Sequence, residues 1–124
     1  MKLEGIWEGV LFIENLRHYI KDELFKLMIL SVVGGTNVWG KVIEEKYTDG
    51  LKENQTTEVD TYLVQGKVNT LEGKLCLTGI REDSFRIELQ IDSVNQIMKG
   101  VYFKKNGFHA RTIIELKKIN KTFR

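Results

Sequence analysis

The stretch Phe85-Arg-Ile-Glu-Leu-Gln-Ile-Asp92 decides the fold, because apolar and polar side chains alternate along its whole length. Side chains in an extended strand point alternately to opposite faces, so Phe85, Ile87, Leu89 and Ile91 share one face. A strand that is apolar on one face and polar on the other lies half-buried in an antiparallel sheet. The stretch therefore predicts an antiparallel β-strand over a buried core.

Seven other segments carry the same patterning less cleanly, and together with this stretch they predict eight strands. The seven are Leu3–Glu14, Phe25–Val33, Asn37–Lys46, Thr61–Asn69, Lys74–Arg81, Gln96–Lys104 and Phe108–Lys117. Most connections between them are short and contain Gly, Asn or Asp, the residues that tight turns favour. Eight antiparallel strands joined in this way favour an up-and-down barrel, because closing the sheet removes its unpaired edges.

The composition agrees with an all-β fold. The chain has 124 residues and no proline, a length that fits one domain over residues 1–124. Ile, Val and Thr make up about a quarter of it and alanine occurs once, which excludes a helical bundle, a coiled coil or a disordered chain. The exception is residues 15–24, where apolar residues from Leu16 to Leu24 recur at helical spacing and predict a short helix closing one end of the barrel.

Charge and cysteine content limit the partners and the location. The net charge is +2 with both signs interspersed, whereas nucleic-acid binders carry a basic stripe with stacking aromatics, so we expect no nucleic-acid partner. The single cysteine, Cys76, cannot form an internal disulfide. The N-terminus shows no apolar leader, and the longest apolar run, Leu27–Val33, is too short to span a bilayer. These features predict a cytoplasmic protein without a transmembrane segment.

Residues 25–45 weakly repeat residues 85–105. Positions of the second strand that match inward-facing positions of the 85–92 stretch are therefore predicted to point inward as well. The residues predicted to point inward on that strand are Phe25, Leu27, Ile29 and Val33. By the same alternation Leu3 and Trp7 point inward on the first strand. The acidic pair Glu44-Glu45 is interpreted as a solvated strand end.

The opening Gly5-Ile6-Trp7 adds a family resemblance. Gly-x-Trp on the first strand of an eight-stranded barrel resembles the calycins, which include lipocalins, fatty-acid-binding proteins and avidins. The resemblance implies that Trp7 plugs one barrel end and that a basic residue of the last strand packs across it, with Arg111 as first candidate and Lys117 as second. The longer opening Gly5-Ile6-Trp7-Glu8-Gly9, of the form Gly-x-Trp-x-Gly, also resembles the barrel sensor domains of bacterial cyclic-nucleotide antiviral effectors. Because the second lipocalin motif and the biotin-contacting pattern are missing, the resemblance implies a pocket for a small molecule without identifying it.

A few polar side chains in the predicted apolar interior mark a candidate ligand site. The predicted ligand-binding residues are Tyr62, Arg81, Phe85, Tyr102 and Thr112. An apolar cavity with a few placed polar groups is the usual form of such a site, so we predict a non-enzymatic protein that binds a small apolar or amphiphilic ligand. Two alternatives stay open: large side chains fill the barrel, and Arg81 turns outward to pair with its neighbours.

The outer wall also carries apolar residues where a solvent-facing wall is expected to be polar. The predicted interface residues are Met28, Leu30, Trp39 and Ile43. An exposed apolar patch of this kind is typical of an interface, which predicts a homodimer or a protein partner. The alternative is that residues 15–23 fold over the patch.

Catalytic and metal-binding patterns are absent from the sequence. His18 and His109 lack ligand spacing to a second His or Cys, and the chain has neither a nucleophile motif nor a phosphate-binding glycine loop. We therefore predict no metal, no cofactor and no catalytic residue. A calycin-like enzyme or a nucleotide-sensing barrel that uses His109 or Arg81 stays as the alternative.

Overall fold

Burial alternates along the strands and gives the sheet one apolar face. In the strand from Phe85 to Asp92 the side chains of Phe85, Ile87 and Leu89 are buried while those between them are exposed, and Ile91 packs half-buried against the core. The inward face predicted for this stretch is confirmed. Similar alternation in the other strands produces one continuous apolar surface, which is buried when the sheet curls around it.

The computed structural model of the protein describes residues 2–13, 18–47, 57–80, 85–104 and 112–119. The strands are β1 (Gly5–Ile13), β2 (His18–Val33), β3 (Asn37–Tyr47), β4 (Thr57–Asn69), β5 (Lys74–Gly79), β6 (Phe85–Asp92), β7 (Ile97–Lys104) and β8 (Thr112–Ile119). Each pairs antiparallel with the next, and β8 pairs with β1, so the sheet closes into an up-and-down barrel. The predicted fold class is confirmed. Among the described residues no helix is long and apolar enough to cross a membrane.

The short helix predicted over residues 15–24 is wrong for residues 18–24, which belong to β2. Val10 of β1 pairs with Leu24, and Glu23 pairs with Lys46 of β3. The two neighbouring strands thus extend far enough to pair with this segment on both sides, and their hydrogen bonds outweigh its helical spacing. Residues 15–17 lie outside the described residues.

A β-bulge near the end of β2 changes which side chains point inward. The register between β2 and β3 shifts between Ile29 and Ser31. After this extra residue the alternation is reversed, so Val32 packs against the core while Val33 is 56% exposed. The prediction that Val33 points inward is therefore wrong, because an uninterrupted period of two was assumed.

The barrel has two unlike ends. The Trp7 end is the end at which β1 begins and at which residues 34–36, 70–73 and 93–96 join successive strands. The Tyr102 end is the opposite one, at which β3 and β7 finish and β6 and β8 begin. Trp7 is fully buried near the first end, and Tyr102 is buried towards the second.

Candidate functional site

A buried tyrosine–glutamate pair lies inside the barrel towards the Tyr102 end. The Tyr102 hydroxyl donates a hydrogen bond of 2.7 Å to the Glu44 carboxylate oxygen Oε1. Glu44 is only 3% exposed. A carboxylate in such a dry position is favourable only when hydrogen bonds compensate for its lost hydration. The pair therefore fixes the orientation of both side chains.

The interpretation of Glu44 as a solvated strand end is wrong. β3 continues to Tyr47, and Glu44 pairs with Phe25 of β2 on one side and with Asp60 of β4 on the other. Since Val42 is buried two residues earlier, the alternation of β3 also points Glu44 inward. The predicted strand Asn37–Lys46 already includes Glu44, so its own period-two pattern could have identified this inward position.

Aromatic rings surround the pair. The Phe25 ring meets the Tyr102 ring edge-on at 5.6 Å between centroids, and the Phe85 ring lies 5.8 Å from Tyr102. Tyr62 meets Phe85 edge-on at 5.2 Å. Contacts of this kind contribute about 0.5–1.5 kcal/mol each beyond the area that they bury. The four rings form one connected cluster across β2, β4, β6 and β7.

Further polar side chains face inward at the same end. Asp60 is paired directly with Glu44, and Thr112 with Tyr102, so each shares the inward face of its partner. Asp60, Tyr62 and Thr112 are half-buried, whereas the interior side chains nearer Trp7 are buried. The Tyr102 end thus combines apolar rings with hydrogen-bonding groups that are partly accessible.

Four of the five predicted ligand-binding residues meet in this region. They are Tyr62, Phe85, Tyr102 and Thr112, which are linked by ring contacts or by strand pairing. The fifth, Arg81, lies outside the described residues, as does His109. Phe25 and Glu44 also lie in this region; the alternation predicted that Phe25 points inward, but neither residue was among the predicted ligand-binding residues.

A tryptophan and a lysine are in contact near the Trp7 end of the barrel. Trp7 is fully buried, and its indole Nε1 donates a 3.0 Å hydrogen bond to the Leu3 carbonyl. Lys118 of β8 pairs with Trp7 and holds its Nζ 5.7 Å from the ring centroid, while the same amine donates to the Lys2 carbonyl. This geometry combines a cation–π contact with a hydrogen bond that fixes the lysine.

Two basic residues were predicted to pack across Trp7. The first, Arg111, lies outside the described residues. Lys117 is exposed and pairs with Glu8, so it shares the outer face of the sheet. Among the described residues, the basic side chain over Trp7 is that of Lys118, because Lys118 pairs with Trp7 and so lies on the same face of the sheet.

The predicted interface residues lie on the outer wall of β2 and β3. Leu30 is 54% exposed and Trp39 is 44% exposed, while Met28 and Ile43 are half-buried. Leu63 of β4, which was not among the predicted interface residues, is 48% exposed beside them. These five residues are called the outer apolar patch below.

No metal site is formed within the described part of the chain, where no three His, Cys, Asp or Glu side chains come together suitably. The arrangement at the Tyr102 end offers hydrogen bonding and aromatic contact. No known protein family matches the chain, and no curated protein matches it either.

Proposed function

We propose that the protein is a non-enzymatic binding protein that holds a small, largely apolar or amphiphilic molecule at the Tyr102 end of its barrel. One observation carries the proposal: inward-facing polar side chains gather with four aromatic rings at this end, while Trp7 is fully buried near the other. Ligand sites in proteins are mostly apolar with a few placed polar groups. An eight-stranded barrel encloses enough space for side chains or one small ligand.

The chemistry of the site sets the orientation of the ligand. Its apolar body lies against Phe25, Tyr62 and Phe85, and its polar group points towards the Tyr102–Glu44 pair and Thr112. The ring cluster gives most of the affinity through apolar contact, and the polar groups select the orientation. No catalytic residue is assigned.

A calycin-type barrel is part of the same proposal. Its support is Trp7 at the start of β1 under Lys118 from the last strand, within an up-and-down barrel of eight strands. With one end closed by this pair, the ligand enters from the Tyr102 end. We further propose that the protein acts in the cytoplasm, since its single cysteine makes an internal disulfide impossible.

The experiment that tests this function uses the neutral fluorescent probe N-phenyl-1-naphthylamine and two matched tryptophan variants. Thr112→Trp fills the Tyr102 end, and Thr78→Trp adds the same side chain at an exposed position of β5. We expect the probe to bind the wild-type protein and Thr78→Trp with similar affinity and Thr112→Trp at least about tenfold more weakly, since overfilling a pocket displaces its occupant. Equal affinity in both folded variants would remove the proposed site.

A second candidate function is self-association through the outer apolar patch. Leu30, Trp39 and Leu63 are each about half exposed on neighbouring strands of one wall. Exposed aromatic and aliphatic side chains grouped in this way are typical of interfaces. We therefore propose a homodimer as the alternative.

A further inference from the structure

A groove of about 870 Å³ crosses the outer wall over β4 to β7, away from the barrel interior. Its floor follows two rows of outward-facing residues that are paired from strand to strand. The first row is Lys67, Cys76, Glu88 and Val101, and the second is Asn69, Lys74, Gln90 and Lys99. We call it the Cys76 groove. Its volume lies in the range of small-molecule sites.

Neighbouring strands of this wall approach each other closely at two glycines. A Cβ atom on Gly66 would lie 1.8 Å from the carbonyl oxygen of Cys76, and one on Gly100 would lie 1.8 Å from that of Glu88. Only glycine permits such contact, and it lets the sheet bend sharply at both positions. Cys76 lies on β5, between the strands that carry these two glycines, and its side chain is exposed.

A fixed turn forms one side of the groove. The Asn69 side-chain oxygen accepts hydrogen bonds of 3.1 Å from the amides of Leu71 and Glu72. Gln90 donates a further 3.0 Å hydrogen bond to the Glu72 carbonyl. These bonds hold the Leu71 side chain out at the groove edge, where it is 98% exposed. The turn thus presents an apolar side chain at the groove edge, and its conformation is already fixed before a ligand binds.

The charges that line the groove favour an anion. Among the described residues that line it are three lysines, Lys67, Lys74 and Lys99, and one acid, Glu88. The Glu88 carboxylate lies 3.3 Å from the Arg86 guanidinium. Lys74 and Lys99 reach other acids only at 3.9 and 4.0 Å, and both amines are about two-thirds exposed. Exposed pairs at such distances are worth little, so a ligand anion can take over these amines.

We propose that the Cys76 groove binds a small amphiphilic anion, with a carboxylate, sulfonate or phosphate near the lysines and an apolar body along Val101 and Leu71. The proposal is independent of the interior site, because the two regions lie on opposite faces of the sheet. Electrostatic attraction to exposed lysines makes the binding sensitive to salt.

The test uses 1-anilinonaphthalene-8-sulfonate as the anionic probe and Cys76 as the reporter. Cys76 is the only cysteine of the chain and is exposed in the groove. Burial and then the charge of Glu88 raise the pKa of its thiol, with Arg86 opposing them, so alkylation by iodoacetamide is followed at one mildly alkaline pH. We expect the saturating anion to slow alkylation several-fold, and the neutral N-phenyl-1-naphthylamine to leave the rate unchanged.

Charge-reversal variants give the matched comparison. The Lys67→Glu, Lys99→Glu double variant should weaken protection by the anion roughly tenfold, because two amines that pair with it are lost. Lys41→Glu, on the wall of β3 outside the groove, should change it less than twofold. If the double reversal unfolds the protein, the Lys67→Gln, Lys99→Gln pair replaces it.

Three results would overturn the proposal: no protection by the anion, equal protection by the neutral probe, or equal protection in the reversal and control variants. If the anion binds without protecting Cys76 and competes with the neutral probe, the groove proposal fails while the interior site stands. If the neutral probe does not bind at all but the anion protects Cys76, the interior site fails while the groove stands.

Discussion

At the scale of single residues, the Tyr102–Glu44 hydrogen bond is the most specific feature of the interior. Tyr102→Phe removes the hydroxyl group, so the buried Glu44 oxygen Oε1 loses the hydrogen bond that this hydroxyl donates. We expect the free energy of unfolding to fall by about 1–3 kcal/mol, the cost of losing a buried partner of a charged group. Urea unfolding of Tyr102→Phe, Glu44→Gln and the double variant measures the coupling between the two side chains. A Tyr102→Phe midpoint equal to that of the wild-type protein would contradict this assignment.

The two tryptophans allow the stability cost of the same substitution to be compared at a buried and at a partly exposed position. Trp7→Phe removes part of a fully buried ring and its hydrogen bond to Leu3, so we expect a loss of about 2 kcal/mol. Trp39→Phe changes a side chain that is 44% exposed and should cost about 0.5 kcal/mol or less. Thermal or urea unfolding of both variants checks this, and equal losses would show that Trp7 is not part of the packed core.

The alternation of apolar and polar residues predicted that many of these side chains point into the barrel. Trp7, Phe25 and Tyr102 follow from a period of two, which sequence alone displays. The lysine over Trp7 was missed because Lys117 and Lys118 differ only in phase, and that phase is set by the register of β8 against β1. Glu44 was missed because a charge beside a second charge was taken to mark the end of a strand.

At the scale of elements, the close approach of strands at Gly100 should dominate the effect of its substitution. An alanine Cβ there would lie 1.8 Å from the Glu88 carbonyl oxygen, and such a clash between backbones cannot relax by a change of rotamer. We expect Gly100→Ala to destabilise the barrel by at least about 3 kcal/mol or to prevent folding. Gly34→Asn is the control, since that turn has a left-handed φ of 64° that asparagine tolerates and no atom within 4 Å of the new Cβ. Similar unfolding midpoints for the two variants would refute the close approach.

The turn between β6 and β7 predicts a dependence on pH. The Asp92 carboxylate accepts hydrogen bonds from the Asn95 side chain and from the amides of Asn95 and Val94, which together lower its pKa below the ordinary value. A lowered pKa in the folded state means that the ionised group stabilises the turn above the ordinary pKa of aspartate, and that this stabilisation is lost as the pH falls through the lowered value. The wild-type protein should therefore be more stable than Asp92→Ala at neutral pH, and the difference should shrink in acid. Unfolding at several pH values measures it, and a constant difference would contradict the role of the charge.

Most strands could be predicted because each carries its own alternating pattern and is bounded by turn residues. Residues 18–24 could not, since their local spacing is helical and only pairing with β1 and β3 makes them extended. The bulge before Ser31 could not be predicted either, because one extra residue in a strand does not change the amino-acid composition in a recognisable way.

At the scale of the whole molecule, the outer apolar patch predicts self-association. Trp39→Glu places a charge on the patch and should convert a dimer to a monomer in light scattering, since burying an unpaired charge is costly. Val94→Glu changes an 88% exposed residue in the turn at the Trp7 end and should leave the measured mass unchanged. A wild-type protein that is already monomeric would rule out the homodimer.

The most direct test of the binding proposal is an NMR titration of the ¹⁵N-labelled protein with N-phenyl-1-naphthylamine, since amide shifts report where a ligand lies. The proposal predicts saturable shifts centred on Phe25, Glu44, Phe85 and Tyr102, with the amides around Trp7 little affected. Shifts that are absent, or that are confined to the outer wall of the barrel, would contradict it.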